Sequence, residues 1–509
     1  MPPTMMRRAH QSLLRGAMPR RLLSTQRPKT LTFNNINPRA ASARYAVRGE
    51  LVIQAMEYDR QLREAKQQGK PSPLPFDKLV MCNIGNPQSL NQQPITFFRQ
   101  VMAMCEYPAL ARDPEMSKMF PADAVRRAQS LLKEIPGGTG AYSESQGIRV
   151  IRENVARFIE ARDGCPATPD NIFLTEGASQ GISVMLHMIT KTPGQDAIMV
   201  PIPQYPLYTA TMALVGADLV PYFLDESKNW ALDKSELESQ LRQAQQRNQT
   251  VKALVVINPG NPSGACLSRE NIEQVIRFCE ANNIVLFADE VYQTNVYNPE
   301  RPFTSFKKVV SELKSDVELL SFHSVSKGVV GECGKRGGYM EITNIDPTVK
   351  AEIYKVFSIG LCSNVVGQIM VDLMVNPPKK GDESYESYTK EVDDLYNSLK
   401  RRAAKLAEGL NSMTNVSCTR IEGAMYAFPC IKIPQKAVQA AKEQGRAADV
   451  LYALELLKAT GVCVVPGSGF GQKDGTYHVR TTFLPPENEM EACIKSFKEF
   501  NDGFMAKYA

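Results

Sequence analysis

Lys327 sits in Ser321-Phe322-His323-Ser324-Val325-Ser326-Lys327-Gly328, and Arg336 follows in Gly334-Lys335-Arg336-Gly337-Gly338. Upstream lie Asn258-Pro259-Gly260-Asn261-Pro262-Ser263-Gly264 and Ala288-Asp289-Glu290-Val291-Tyr292. A lysine alone proves nothing. A lysine placed after apolar runs that also deliver an Asn, an Asp and a Tyr has the pattern of a Schiff-base lysine, and the aldehyde it points to is pyridoxal phosphate.

Each neighbour has a chemical reading and a plainer one. Asp289 closes the apolar run Ile284-Val285-Leu286-Phe287-Ala288. A carboxylate there needs a partner or costs several kcal/mol. A protonated pyridine nitrogen would be that partner, and so would a helix N-terminus or a salt bridge. Tyr292 and Asn261 are placed to hydrogen-bond the cofactor's 3′ oxygen, although a buried tyrosine and a turn-prone Asn-Pro segment account for the same residues. Gly177-Ala178-Ser179-Gln180-Gly181 follows a short apolar run. Its small residues let backbone N–H groups and the Ser179 hydroxyl approach a phosphate at a helix N-terminus, or simply make a tight turn. Ser324 and Arg336 would add charge-assisted contacts. Tyr205, in Pro203-Gln204-Tyr205-Pro206, can stack on a pyridine ring or fill a core. Arg480, in Tyr477-His478-Val479-Arg480-Thr481-Thr482, offers a guanidinium fork to a carboxylate, or lies on a strand edge. No single signal decides; their ordered combination does.

Elements must bring these residues together. Leu51, Val52, Ala55, Met56 and Leu62 predict a helix over 51–66, and Leu79–Ile84 a short strand. From about residue 147 apolar runs alternate with helical patterns: Ile172–Thr175, Ala197–Val200, Val251–Ile257, Ile284–Ala288 and Val317–Phe322 read as strands. Ile272, Val275, Ile276 and Cys279 mark a helix face. The pattern predicts an α/β fold, a mostly parallel sheet covered on both faces, with ligands at the carboxyl ends of its strands. A polar Gly/Pro-rich stretch at 375–385 precedes a long helix carrying Leu395, Leu399, Leu406 and Leu410, and the remainder, including Met425–Ile433 and Gly461–Pro466, reads as α+β.

Composition narrows the function classes. The net charge of +6 over 509 residues is concentrated at the start: the first 49 residues hold nine Arg, one Lys and no acid. Without those ten charges the remainder carries about −4, which suits no nucleic-acid face. The Arg-rich, acid-free beginning reads as a transit peptide over residues 1–26, for the mitochondrion ahead of the plastid, with a cytoplasmic location as the alternative. Eleven scattered Cys suggest reduced thiols. None of the four His is paired with Cys at zinc-ligand spacing, so no metal is expected. No apolar run reaches the length of a membrane span.

The chain resembles the fold-type-I pyridoxal-phosphate enzymes, and among them the alanine aminotransferase family. The narrower resemblance rests on Ile135-Pro136-Gly137-Gly138-Thr139-Gly140-Ala141-Tyr142-Ser143 and on Ser145-Gln146-Gly147-Ile148. It rests also on Ser321-Phe322-His323-Ser324, Gly331-Glu332-Cys333-Gly334-Lys335-Arg336-Gly337-Gly338-Tyr339 and Gly423-Ala424-Met425-Tyr426. It implies an aspartate-aminotransferase-like homodimer with a large cofactor-binding domain over 111–370. A smaller α+β domain would be built from 27–110 and 371–509. It implies that Tyr142 reaches the partner subunit's cofactor phosphate, that Gly85 lies near the substrate carboxylate and that Arg480 binds it. The activity implied is ping-pong transfer of an amino group between L-alanine and 2-oxoglutarate, with Lys327 moving the α-proton while Asp289 keeps the ring protonated. No second arginine for the other carboxylate of 2-oxoglutarate stands out. Glutamate:glyoxylate aminotransfer is the sister alternative. A regulator with an appended DNA-binding module does not fit the roughly 50 residues ahead of the fold.

Overall fold

Apolar runs without alternation demand cover on both faces, and the computed structural model, which describes residues 29–43 and 49–509, provides it. Strand β1 is short, Val80–Met81. Seven further strands form the central sheet: β2 Ile172–Thr175, β3 Asp196–Ile202, β4 Asp218–Phe223, β5 Thr250–Ile257, β6 Val285–Asp289, β7 Leu319–Ser324 and β8 Gly338–Thr343. Their order is β2-β8-β7-β6-β5-β3-β4. The pairs from β7 to β4 are parallel, and β8 runs antiparallel to both β7 and β2.

Side chains alternate across the sheet as the two-residue period requires. Leu254, Val256, Leu286 and Ala288 face one layer, meeting Leu237, Val275, Ile276 and Val309 from the helices Lys234–Gln246, Arg269–Asn282 and Phe306–Leu313. Val255, Phe287, Leu320 and Phe322 face the other, against Ile182, Leu186, Tyr208 and Met212 from Ala178–Ile189 and Leu207–Val215. Every residue of β2, β3 and β7 is buried. Each large apolar side chain so enclosed contributes about 1.5–3 kcal/mol, which makes the strand ends a stiff platform.

The later part of the chain is built differently. Its strands are two to four residues long: β9 Val416–Ser417, β10 Tyr426–Ala427, β11 Cys430–Ile431, β12 Val462–Cys463, β13 Val465–Pro466 and β14 Val479–Thr482. β14 lies between β10 and β13, and β12 pairs in parallel with β1, joining an early segment to a late one. The long helix Tyr385–Asn411 packs on the C-terminal helix Glu487–Lys507.

Several expected strands are trimmed or split. Over 79–84 only Val80–Met81 is extended, because the Cys82 N–H turns back to the Val80 carbonyl and the Asn83 carbonyl is taken by Arg480. The 425–433 run breaks at Pro429, which lacks an N–H for the ladder. The strand expected over 317–322 begins two residues later, at Leu319. Two strands of the central sheet escaped the apolar-run reading. β4 is a half-buried edge containing Pro221, and β8 carries Glu341, buried against Lys307 at 2.8 Å.

Residues 29–42, the described part of a first compact unit, form a turn at 32–36 and a short helix, Pro38–Ser42; residues 43–509 form the second unit. The transit peptide expected over 1–26 lies outside the described residues. Among the described residues no helix is long and apolar enough to cross a membrane. All eleven cysteines are free thiols.

Candidate active site

The carboxyl ends of β2, β3, β5, β6 and β7 open onto one cavity of about 230 Å³. At one end β2 runs through Gly177 into the helix Ala178–Ile189. The first N–H groups of that helix have no intrahelical acceptor. Gly177 has φ +74°, and a Cβ there would lie 2.7 Å from a guanidinium nitrogen of Arg336, so only glycine lets the arginine close over the helix start. Arg336 donates to the carbonyls of Glu176 (2.8 Å) and Cys333 (2.9 Å) and approaches the Ser179 hydroxyl at 3.4 Å. Ser324 lies beside it, its hydroxyl donating to the Gly337 carbonyl at 3.1 Å. Backbone donors, two hydroxyls and a guanidinium thus converge, a setting for a phosphate.

Asp289, the last residue of β6, is buried. Its Oδ2 accepts from the hydroxyl of Tyr208 at 2.9 Å, while its Oδ1 is buried without a protein partner. Burial pushes this carboxyl up to about 6, against the opposing pull of Tyr208, the Val291 N–H and the charge of Lys327. Burial and the adjoining carboxylate push the Tyr208 phenol well above its ordinary value, so it stays a donor. The result is a fixed acceptor facing a cavity, held from behind by a neutral phenol.

Three residues past the end of β7, Lys327 Nζ donates to the Gly85 carbonyl at 2.8 Å. A Cβ on Gly85 would stand 2.2 Å from the Tyr426 hydroxyl and 3.2 Å from Lys327 Nζ, so the close approach of this loop requires glycine. Tyr292 and Tyr426 bring their hydroxyls within 3.4 Å. Burial and the neighbouring phenol raise Tyr292. Burial acts the same way on Tyr426, but Lys327, Arg480 and the Tyr292 hydroxyl outweigh it and hold Tyr426 below the usual phenol range. Arg480, on β14, is only 1% exposed. It donates to Asn261 Oδ1 at 3.0 Å and to the Asn83 carbonyl, and its guanidinium lies over the rings of Tyr426 (4.2 Å) and Phe470 (4.6 Å). Its Nε is buried with no protein partner.

The cavity therefore gathers Gly85, Ala178, Ser179, Tyr205, Asn261, Asp289, Tyr292, Ser324, Lys327, Arg336 and Arg480 from widely separated segments. Tyr142 stands apart. It is 78% exposed and lines a separate surface hollow with Ile135, Gly138 and Arg149 rather than the cavity of its own chain. Tyr426, Ser326 and Tyr208 are among the lining or supporting residues to which the sequence reading assigns no site role. Tyr426 lay inside a quoted motif without a role. Ser326 lies between Ser324 and Lys327. Tyr208 comes three residues after Tyr205, but nothing in the sequence links it to Asp289.

The family model described as aminotransferase class I and II matches residues 113–497. The chain belongs to this aminotransferase family. It is 52% identical, over 94% of its length and 90% of the relative's, to a probable mitochondrial alanine aminotransferase of Dictyostelium discoideum. It is 50% identical, over 94% of its length and 98% of the relative's, to glutamate–glyoxylate aminotransferase 1 of Arabidopsis thaliana. Among solved structures, an alanine aminotransferase of Pyrococcus furiosus superposes with a TM-score of 0.70 at 24% identity, covering 92% of this chain and all of that one. That likeness establishes the aspartate-aminotransferase-like α/β fold.

Family and fold imply pyridoxal phosphate, and the aminotransferase's own residues fit it. The unpartnered Asp289 Oδ1 would suit a protonated ring nitrogen, Lys327 would offer the amine, and the helix start with Arg336, Ser179 and Ser324 would suit the phosphate. Among the lining residues the cations are Lys327, Arg336 and Arg480 and the one acid is Asp289. This balance suits an anionic cofactor and a carboxylate substrate.

Proposed function

We propose that this enzyme is an alanine aminotransferase, passing the amino group reversibly between L-alanine and 2-oxoglutarate to give pyruvate and L-glutamate by a ping-pong route. One observation carries the reading. A lysine amine, an unpartnered buried carboxylate oxygen and a buried arginine share one cavity in a chain half-identical to alanine aminotransferases.

Pyridoxal phosphate, when bound, supplies an electron sink for the charge left on the substrate's α-carbon. The rest is done by the chain. Arg336, Ser179, Ser324 and the N–H groups at Ala178 and Ser179 would hold the phosphate. Tyr205 would lie against the ring, with Asn261 and Tyr292 at its 3′ oxygen. Asp289 would keep the ring nitrogen protonated. Arg480 binds the substrate carboxylate, its fork already oriented by Asn261 and Asn83 and backed by Tyr426, with Gly85 near that carboxylate and, lacking a Cβ, letting the Tyr426 hydroxyl and Lys327 come close. Lys327 is the amine that would hold the cofactor. Once freed by the substrate's amino group, its Nζ would be the base that takes the proton from the substrate's α-carbon and delivers it to the cofactor's 4′ carbon. The Gly85 carbonyl marks the position of its nitrogen. The amino nitrogen would stay with the bound cofactor while water supplies the oxygen of the departing oxo acid, and would then pass to a second oxo acid, which is the basis of the ping-pong order.

The glyoxylate enzyme is the one rival supported by a particular observation, the Arabidopsis relative at 50% identity. We also propose a homodimer in which Tyr142 enters the second subunit's site, the domain limits 27–110, 111–370 and 371–509, and mitochondrial targeting by residues 1–26. The exposure of Tyr142 supports the first of these readings and relatives named as mitochondrial support the last.

The deciding experiment is the visible spectrum of the purified holoenzyme before and after L-alanine, with no oxo acid present. Bleaching of the cofactor band with one equivalent of pyruvate per site is expected. A band that ignores alanine but responds to glutamate, with glyoxylate as the preferred acceptor, would transfer the assignment to the rival. No band after added pyridoxal phosphate would overturn both.

A further inference from the structure

A second group of reactive side chains lies away from the cavity. Glu226 is in the turn after β4, Cys430 begins β11, and His478 leads into β14. One ligand atom from each lies within 4.8 Å of the others. Cys430 and His478 are direct partners in an antiparallel bridge, and His478 Nε2 is 3.1 Å from Glu226 Oε2.

The imidazole is oriented in advance. Gln472 uses its amide nitrogen on Asp449 Oδ2 (3.2 Å), so its oxygen is turned to His478, where it accepts the backbone N–H at 3.1 Å and lies 3.1 Å from Nδ1. The proton of a neutral ring therefore sits on Nδ1, and the Nε2 lone pair points at the Glu226 carboxylate. Two lone pairs at 3.1 Å repel unless a proton or a metal ion lies between them. The ring cannot swing away, because it stacks on Phe428 (4.7 Å, 3°) and meets the edge of Trp230 at 5.7 Å.

We propose that Glu226, Cys430 and His478 form a binding site for a borderline-soft divalent metal ion of the zinc type, with its fourth position open to solvent. The donor set is one such ions select, nitrogen, sulfur and oxygen from three protein ligands. Tetrahedral bonds of about 2.0–2.2 Å place N and O ligands roughly 3.4 Å apart, close to the separation already present. Gln472 and Asp449 supply the outer partners that a metal-bound histidine uses. His478 is 2% exposed, but Glu226 keeps 31% of its side chain in solvent and a small cavity is lined by Glu226 and His478, so an ion has an entry. The site ties the turn after β4 to β11 and β14, two residues from Arg480. Without metal a proton takes the place: burial opposes the charged ring, yet Cys430 and Glu226 lift it to about 9.

The test uses holoenzyme dialysed against chelator and titrated with Co²⁺, then Zn²⁺. One Co²⁺ per chain is expected, with thiolate-to-cobalt charge-transfer absorption and the visible bands of a four-coordinate ion, both abolished by one equivalent of Zn²⁺. Cys430→Ser should lose the charge-transfer absorption, and Glu226→Gln should weaken binding at least tenfold. Cys418→Ser, at a half-buried thiol nearby, should change neither. Zn²⁺ should raise the melting temperature of the parent chain but not of Cys430→Ser, and circular dichroism would establish that the variants fold. Absence of saturable binding in the parent chain would overturn the proposal. So would binding left unchanged in Cys430→Ser or in Glu226→Gln. The trio would then be an imidazolium–carboxylate pair beside a thiol.

Discussion

The two walls of the active-site cavity are held by different means. Lys327, Asp289 and Ser324 stand at or just past the ends of long strands buried on both faces, so packing fixes them. Arg480 and Tyr426 stand on strands of four and two residues, and their positions depend on side-chain contacts. Arg480 is held by Asn261, the Asn83 carbonyl and two aromatic rings. The stiff wall carries groups that would make and break bonds, where small displacements are most costly. The adjustable wall carries the group that meets the substrate's carboxylate. Changes on the first wall should therefore damage turnover, and changes on the second should damage substrate affinity.

The largest effect belongs to Lys327→Ala, which should lower steady-state pyruvate formation at least about a thousandfold, since it removes both the covalent anchor and the base. Retained turnover would remove Lys327 from the chemistry. Asp289→Asn should follow, with a loss of roughly a hundredfold or more in turnover and a smaller loss of alanine binding. Near-parental turnover would show that the unpartnered Oδ1 has no role. On the other wall Arg480→Gln should raise the KM for alanine roughly 10–100-fold, the worth of one or two charge-assisted hydrogen bonds, and change cofactor retention little. If this variant instead sheds its cofactor at unchanged KM, the division between the walls is wrong.

The same division explains what the sequence could disclose. Strands buried on both faces appear as unbroken apolar runs, so β2, β3, β5, β6 and β7 and the residues that follow them could be read directly. The C-terminal segment has no such signature. A two-residue strand has no periodicity to detect, and Pro429 interrupts the one run that looked longer. Arg480 offered a guanidinium among strand-forming residues that a strand edge would also explain, and its tie to a carboxylate came, like the place of Gly85, through resemblance to a family. Tyr208 was hidden for another reason. It lies on a helix whose neighbours Tyr205 and Met212 are also apolar or aromatic, and its partner Asp289 is distant in sequence. Glu226, Cys430 and His478 were missed likewise, because their proximity comes from a strand pairing and a turn, not from any spacing along the chain.

Tyr208 permits the smallest and most specific test. The apo protein holds Asp289 at about 6, against 3.8 in water, so between these values the carboxyl is protonated when folded and ionised when unfolded. Cofactor binding that needs the anion should weaken as pH falls through about 6 and recover above it. The hydroxyl of Tyr208 opposes the effect of burial, because it donates to the ionised form. Tyr208→Phe removes a bond worth about 1 kcal/mol, so the midpoint of cofactor affinity against pH should move upward by about half to one unit, with almost no change well above it. Equilibrium binding of pyridoxal phosphate to the apo variant, measured across pH 5–8, tests this without reference to turnover. A uniform loss of affinity at every pH would mean that Tyr208 only fills space, and the stiff wall would then owe its carboxylate to packing alone.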